Sequence, residues 1–357
     1  MKILQVITSL CIGGAEKIIT ELVPAMIADG HQVDVLTFNG EDTYFKRSLE
    51  QKGIRIISFC NKRNYYNPIY IFRLIYVMRK YDIVHTHLTS PQFFCALANI
   101  ITRKALITTE HSTYNRRRGS RFFSRVDRWM YSQYEAVICI SEKVAENLVA
   151  FLGQKKINVV TIQNGINVKK YFDAPALGES KSVTGKTIIT MVAAFRYEKD
   201  QETLIRAVKR LDESKYCLWL VGDGERHDEL VEYIKSLKMD NRVRLWGNRD
   251  DVPSILKSSD IIVMSSRWEG FGLAAVEGMA AKKPVIASDV DGLAQIVQGA
   301  GLLFIPQNDE QLAQEIEKLS TDLSYYEMVA NRCAARAMSY DISVMVRKYE
   351  DVYKTLS

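Results

Sequence analysis

The stretch Ser265–Val297 reads SSRWEGFGLAAVEGMAAKKPVIASDVDGLAQIV, and it runs as a loop, a helix, a strand and a turn. Glu269 ends a polar loop and is followed at once by Gly270-Phe271-Gly272. The apolar run Leu273–Ala281 reads as a helix and carries Glu277 on its second turn. Pro284-Val285-Ile286-Ala287 then reads as a short buried strand, ending in Ser288-Asp289-Val290-Asp291-Gly292. Glycines let a backbone approach a ligand closely, and a helix start leaves N–H groups without intrahelical partners. With the positive end of the helix dipole, those donors suit a diphosphate. Glu269 and Glu277 could then accept hydrogen bonds from hydroxyls on either side of it. An ordinary turn beside a solvated glutamate is the competing account. It fits poorly, because Glu277 lies among Leu, Ala, Val, Gly and Met, where a carboxylate is costly unless paired.

Working outward, apolar strand-like runs alternate with helical ones along the whole chain. Lys2–Thr8, Gln32–Phe38, Ile54–Phe59, Ile83–His87, Ala105–Thr109, Ala136–Ile140 and Val159–Ile162 come before a segment of small and polar residues, Val168–Lys186. Thr187–Ala193, Cys217–Val221, Val243–Gly247, Ile261–Met264 and Gly299–Pro306 follow that segment. Such alternation predicts parallel, doubly wound sheets with ligands beyond the strand C-termini. A chain of 357 residues exceeds one comfortable core. The expected organisation is an N-terminal Rossmann-like domain over 1–167, a linker over 168–186, a C-terminal Rossmann-like domain over 187–339 and a final helix in 340–357.

Charge is unevenly spread. Residues 1–170 hold 24 Lys and Arg against 13 Asp and Glu, a net of +11, and residues 171–357 hold 24 against 29, a net of −5. A basic front half points to an anionic partner. Arg116-Arg117-Arg118, Arg121, Arg125 and Arg128 interleave with Phe122, Phe123 and Trp129, and Tyr65–Lys80 mixes aromatics with Arg73, Arg79 and Lys80. Such amphipathic basic surfaces suit an anionic membrane interface, with a solvated basic face as the plainer account. No known nucleic-acid module accompanies them. The six cysteines lack metal or disulfide spacing and read as reduced thiols of a cytosolic protein. No apolar run reaches the roughly 18 residues of a membrane span.

Several loops carry candidate chemistry. Gly13-Gly14 before a helix could aim amides at a phosphate, or could simply form a tight turn. His85 and His87 would share one strand face; a metal pair there lacks supporting ligands, so a buried, hydrogen-bonded histidine is expected. His111 follows a strand end. Arg196 and Lys199 follow another, where two cations could neutralise a diphosphate without metal.

The Ser265–Val297 stretch resembles the Glu-x7-Glu signature of the retaining glycosyltransferases of family four, of the bacterial surface-polysaccharide type. The resemblance extends over nearly the whole chain and implies the glycosyltransferase-B fold, two Rossmann-like domains facing a cleft. It implies that the Gly13–Gly14 loop lies near the donor diphosphate and that His111 lies close to the transferred sugar. Lys199 matches the family lysine that contacts donor phosphates. The glycine-arginine pair that usually precedes it is Ala193-Ala194 here, so Arg196 is displaced by two and is at best a substitute. The implied catalytic set is His111, Glu269, Arg196 and Lys199. The donor-binding set is Gly13, Gly14, Arg196, Lys199, Gly270, Phe271, Gly272, Leu273 and Glu277. Also implied are a final helix packed on the first domain, retention of anomeric configuration and no cofactor.

The expected reaction moves a hexose from a UDP- or GDP-linked donor to an acceptor glycan or polyprenyl-linked oligosaccharide, as in lipopolysaccharide assembly. An enzyme of this kind would work in the cytoplasm, peripheral on the inner face of the plasma membrane. No metal-binding Asp-x-Asp stands at a nucleotide-binding strand end; Asp289 and Asp291 have that spelling but come after the Glu277 helix. A nucleotide-sugar 2-epimerase and a non-catalytic sugar-nucleotide-binding protein are the alternative readings.

Overall fold

A strand followed by a helical crossover and another strand builds a parallel sheet with right-handed connections. In the computed structural model every pairing between the described strands is parallel, and the structure describes residues 1–11, 13–60, 64–112, 119–153, 157–177 and 185–356. It divides into two compact units, Met1–Gly165 with Ile342–Ser357, and Ile166–Asp341. Arg116–Arg118 and Gly178 lie outside the described residues.

Among the described residues the first unit has strands β1 (Lys2–Ile7), β2 (Gln32–Asn39), β3 (Ile56–Cys60), β4 (Ile83–His87), β5 (Ala105–Glu110), β6 (Ala136–Cys139) and β7 (Val159–Thr161). They form one sheet in the order β3-β2-β1-β4-β5-β6-β7, and every pairing is parallel. The order reverses between β1 and β4, the kind of place where doubly wound sheets bind ligands. Ile3, Leu4, Val6 and Ile7 of β1 are all buried, as a strand covered on both faces requires. The helix Ile342–Lys354 belongs to this unit. It buries Met345, Val346, Tyr349, Val352 and Tyr353, a stripe at helical spacing.

In the second unit the described strands are β8 (Thr187–Val192), β9 (Tyr216–Val221), β10 (Val243–Leu245), β11 (Ile261–Met264), β12 (Val285–Ser288) and β13 (Leu302–Phe304). The order is β10-β9-β8-β11-β12-β13, again parallel throughout, with the reversal between β8 and β11.

The strands expected from sequence are present, with ends shifted by at most three residues. Ile54, for instance, lies before β3 because its N–H closes the preceding helix onto the Leu49 carbonyl, over a left-handed Gly53. The segment 168–186 opens with a short helix, Val168–Phe172. The helix Leu323–Met338, which buries Val329, Ala330, Cys333 and Ala337, has no counterpart in the sequence reading. Among the described residues no helix is long and apolar enough to cross a membrane.

Candidate functional site

The second unit gathers most of the candidate residues at the carboxyl ends of β8 and β11. After β8 the chain makes a single 3-10 turn, Tyr197–Lys199, and then places Asp200 in the left-handed region, at φ 49°. That conformation is strained for a residue with a side chain, so neighbouring contacts must hold it. They do. The buried Asp200 carboxylate accepts hydrogen bonds from Thr203 Oγ1 (2.7 Å) and Arg267 Nη2 (2.9 Å). Ser265 Oγ donates to the Asp200 carbonyl (2.8 Å), and the Arg267 N–H donates to the Glu198 carbonyl (2.8 Å). The Arg267 guanidinium also lies over the Tyr197 ring, 4.6 Å from its centroid. The loop after β8 and the loop after β11 are thereby tied into one body.

That body brings Lys199 and Glu269 into an ion pair, Nζ to Oε2, with both side chains mostly withdrawn from solvent. The second Glu269 oxygen accepts from the Gly270 N–H (3.2 Å). Withdrawn from water, an unpaired ammonium or carboxylate would cost several kcal/mol, so each group holds the other in place.

The glycines behind the pair are there for space. Gly272 has φ 87°, and a Cβ on it would stand 2.5 Å from Leu293 Cδ2. A Cβ on Gly292 would stand 2.3 Å from the Glu269 carbonyl oxygen. Gly272 caps the helix Leu273–Ala280, which packs so closely on β11 that a Cβ at Gly278 would meet Ile262 at 2.9 Å. Glu277 projects from this helix and is buried, 1% exposed. Phe271 is buried against Tyr340, ring centroids 5.6 Å apart, so it anchors the loop and offers a ligand only its backbone.

The remaining candidate of this unit stands apart. Arg196 is 58% exposed and faces Glu198 at 3.9 Å. Reading the sequence did not single out Asp200, Thr203, Ser265 or Arg267 as a clamp. Gly222 and Gly224 stand in the polar turn after β9. A Cβ at Gly222 would stand 2.1 Å from the Ala193 carbonyl oxygen, and one at Gly224 2.5 Å from that of Phe195. The close approach of the β9 loop to the β8 loop therefore depends on both. The available signal was an acidic residue directly after Lys199 and an arginine two before Glu269.

In the first unit, Gly13 precedes the helix Gly14–Ala28 in extended backbone, φ −173°. A Cβ on Gly14 would meet nothing within 4 Å, so neither sterics nor dihedral angle requires glycine there. His111 follows β5 and joins a buried cluster. His87 Nδ1 lies 2.9 Å from His111 Nε2, and His87 Nε2 lies 2.8 Å from Gln5 Oε1. His85 stacks on His87 with ring centroids 4.5 Å apart. Its nitrogens reach Tyr353 Oη (2.6 Å) and Thr109 Oγ1 (2.8 Å). Both strand histidines are therefore buried and hydrogen-bonded. Among the described residues no group of three His, Cys, Asp or Glu is placed to hold a metal ion. Burial pulls the imidazoles of His85 and His111 down to about 3 and about 4, and that of His87 well below its usual range.

Comparison with known proteins identifies the family. Residues 12–170 match the family model described as Glycosyltransferase Family 4, and residues 176–336 match that described as Glycosyl transferases group 1. An uncharacterized glycosyltransferase of Methanocaldococcus jannaschii is 27% identical, with 93% of this chain and 92% of that protein covered. The UDP-Gal:alpha-D-GlcNAc-diphosphoundecaprenol alpha-1,3-galactosyltransferase of Escherichia coli is 26% identical, with 77% of this chain and 75% of that protein covered. Among solved structures, Anabaena Alr3699/HepE in complex with UDP-glucose shares the fold at a TM-score of 0.86 and 23% identity, with 100% of both chains covered. The two family matches follow one another along the chain, over residues 12–170 and 176–336. The chain belongs to the glycosyltransferases of family 4, with their two-domain glycosyltransferase-B fold.

Proposed function

We propose that this enzyme moves a hexose from a UDP- or GDP-linked donor to a hydroxyl of an acceptor glycan or polyprenyl-linked oligosaccharide, with retention of anomeric configuration. The observation that carries the reading is the Lys199–Glu269 ion pair at the β8–β11 reversal, directly before Gly270–Gly272 and the Glu277 helix. Its two charges neutralise one another, and a nucleotide sugar would engage them separately, phosphate on Lys199 and sugar hydroxyls on Glu269. As the glycosidic bond breaks, negative charge grows on the departing diphosphate. Lys199 and the amides of Gly270–Leu273 are the groups assigned to meet it. Glu277 is assigned to the ribose hydroxyls. By resemblance, His111 is assigned to the transferred sugar and the Gly13–Gly14 loop to the diphosphate. Arg196, exposed as it is, is assigned no more than an auxiliary phosphate contact.

The donor class draws support from two of the proteins compared. The Escherichia coli relative is named for transfer from UDP-Gal to a diphosphoundecaprenol-linked sugar, and the Anabaena structure holds UDP-glucose. Because a lysine and backbone amides carry the charge in this account, transfer is expected to continue in the presence of EDTA. The acceptor is proposed to be presented at an anionic membrane on the cytoplasmic side. In support, Phe72 and Tyr76 are exposed beside Arg73, Arg79 and Lys80, and Phe122 is exposed beside Arg121 and Arg125. Liposome flotation tests this part: recovery with anionic but not neutral vesicles is expected, and equal recovery from both removes the electrostatic argument.

The reaction itself is tested by incubating the protein with UDP- and GDP-hexoses and a polyprenyl-diphosphate-linked sugar. Released nucleotide and the anomeric configuration of the product are then read by NMR. Nucleotide release with a retained linkage supports the proposal. An inverted linkage removes the retaining mechanism, and epimerisation of the free donor transfers the site to the other reaction.

A further inference from the structure

We propose that Gln5 and His87 hold His111 in the tautomer with its proton on Nε2, so that His111 presents a bare Nδ1 as an acceptor for a substrate hydroxyl. One hydrogen-bonded chain runs from the Met26 sulfur through Gln5 and His87 to His111. Gln5 is fully buried, and its Nε2 faces Met26 Sδ (3.9 Å) and Tyr353 Oη (3.2 Å). A thioether is only an acceptor, so the amide nitrogen belongs on that side and the carbonyl oxygen on the other. Gln5 Oε1 then faces His87 Nε2 at 2.8 Å. A carbonyl oxygen accepts and never donates, so His87 Nε2 carries the proton.

A neutral imidazole carries one N–H, so His87 Nδ1 is bare. Its partner is His111 Nε2 at 2.9 Å, and His111 must therefore be the donor. His111 Nδ1 is left with its lone pair, and among the described residues no partner stands on it. The second branch agrees. Tyr353 Oη accepts from Gln5 and donates to His85 Nδ1, so His85 Nε2–H donates to Thr109 Oγ1. Each imidazole proton in the network has one place. Burial holds all three imidazoles neutral, as the chain of single protons requires.

Gln5 and His87 are thus positioning residues: His87 fixes the His111 proton directly and Gln5 fixes it through His87. The consequence for recognition is sharp. A sugar hydroxyl, which can donate, is matched to Nδ1, whereas a phosphate or carboxylate oxygen meets a lone pair and is repelled. This consequence rests on the transferase reading, but the tautomer does not.

The experiment uses the full chain labelled with 15N in its histidines. The His111 signals are assigned by their loss in His111→Asn. At neutral pH and without substrate, wild type is expected to show His111 Nε2 as the protonated nitrogen and Nδ1 as bare; a proton on Nδ1 overturns the proposal. Gln5→Glu keeps an acceptor for His87 and should leave the His111 pattern unchanged. Gln5→Leu removes that acceptor and should move the His111 signals towards the average of the two tautomers. An unmoved pattern in folded Gln5→Leu overturns the role of Gln5, and the wild-type spectrum decides the tautomer whether or not that variant folds. For recognition, His111→Asn puts an amide oxygen near the Nδ1 position and His111→Leu does not. His111→Leu should raise the donor KM about tenfold, the effect of one lost hydrogen bond, while His111→Asn stays within about threefold. Equal losses in both variants would remove hydroxyl acceptance by Nδ1. Absence of any transfer in wild type would sink the transferase reading and leave the spectrum to judge the tautomer.

Discussion

At the ends of β8 and β11, Lys199, Glu269, Asp200 and Arg267 stand as two ion pairs. In the equivalent sheet of the first unit, the strands β1, β4 and β5 and the residue after β5 instead line up Gln5, His85, His87, Thr109 and His111, all neutral. The two regions solve different problems with the same topology. Ion pairs can exchange partners with a charged ligand, so they suit the diphosphate end of a donor. A neutral relay cannot do that without leaving a buried polar group unpaired. What it can do is fix the direction of each hydrogen bond, and so read hydroxyls.

The comparison breaks most readily at its charged side. Arg267→Ala would strand the buried Asp200 carboxylate beside Thr203 alone. Denaturant melts should show the second unit destabilised by about 3–5 kcal/mol, the usual result of halving a buried pair. A loss under about 1 kcal/mol would mean that the clamp does not hold the loop. Lys199→Ala is expected to lower kcat/KM by about 10²–10³-fold in initial-rate assays, the size seen when one preorganised donor to a developing charge is removed. A loss below about tenfold would take Lys199 out of the electrostatic role.

Backbone geometry sharpens the contrast between glycines. Gly222→Ala puts a Cβ against the Ala193 carbonyl at φ 133° and should cost about 1–3 kcal/mol in thermal or denaturant melts. Gly14→Ala, with nothing within 4 Å, should leave stability within about 0.5 kcal/mol.

On the neutral side, pH is the lever. His85 and His111 titrate at about 3 and about 4 in the folded chain but near the ordinary histidine value when unfolded. Between the two, the unfolded chain binds more protons, so stability falls as pH drops from roughly 6.5 towards 4 and is flat above that window. Each unit of depression is worth about 1.4 kcal/mol at most, and melting followed across that range should register it. A first unit equally stable at both ends of the window would show that the imidazoles are not held neutral.

The fold was legible because its signals are local. Apolar runs of four to eight residues between helical stretches place the strands to within about three residues. Glu269 and Glu277 stood out in the sequence, one beside a glycine and one inside an apolar helix, whereas Lys199 stood out by following a strand end and by its match to the family lysine. The clamp was not. Asp200 and Arg267 are 67 residues apart in the chain and look like surface charges until β8 and β11 become neighbours. The histidine relay was half legible: strand periodicity puts His85 and His87 on one face. Two further members, Gln5 and Tyr353, come from the two ends of the chain, and no spacing rule joins them. Arg196 shows the limit of reading by proximity, because a cation two residues from the expected place turned out to face solvent and Glu198.

The central claim is that the loop cluster of the second unit binds a nucleotide sugar through Lys199 and Glu277. Its most direct test is ligand-detected NMR of UDP, GDP and their hexose conjugates against wild type, Lys199→Ala and Glu277→Ala, with folding of each variant checked by melting. Selective binding of one nucleotide series, weakened by both substitutions, is the predicted result. Binding by none of the ligands to folded wild-type protein, or binding that both substitutions leave intact, would contradict it.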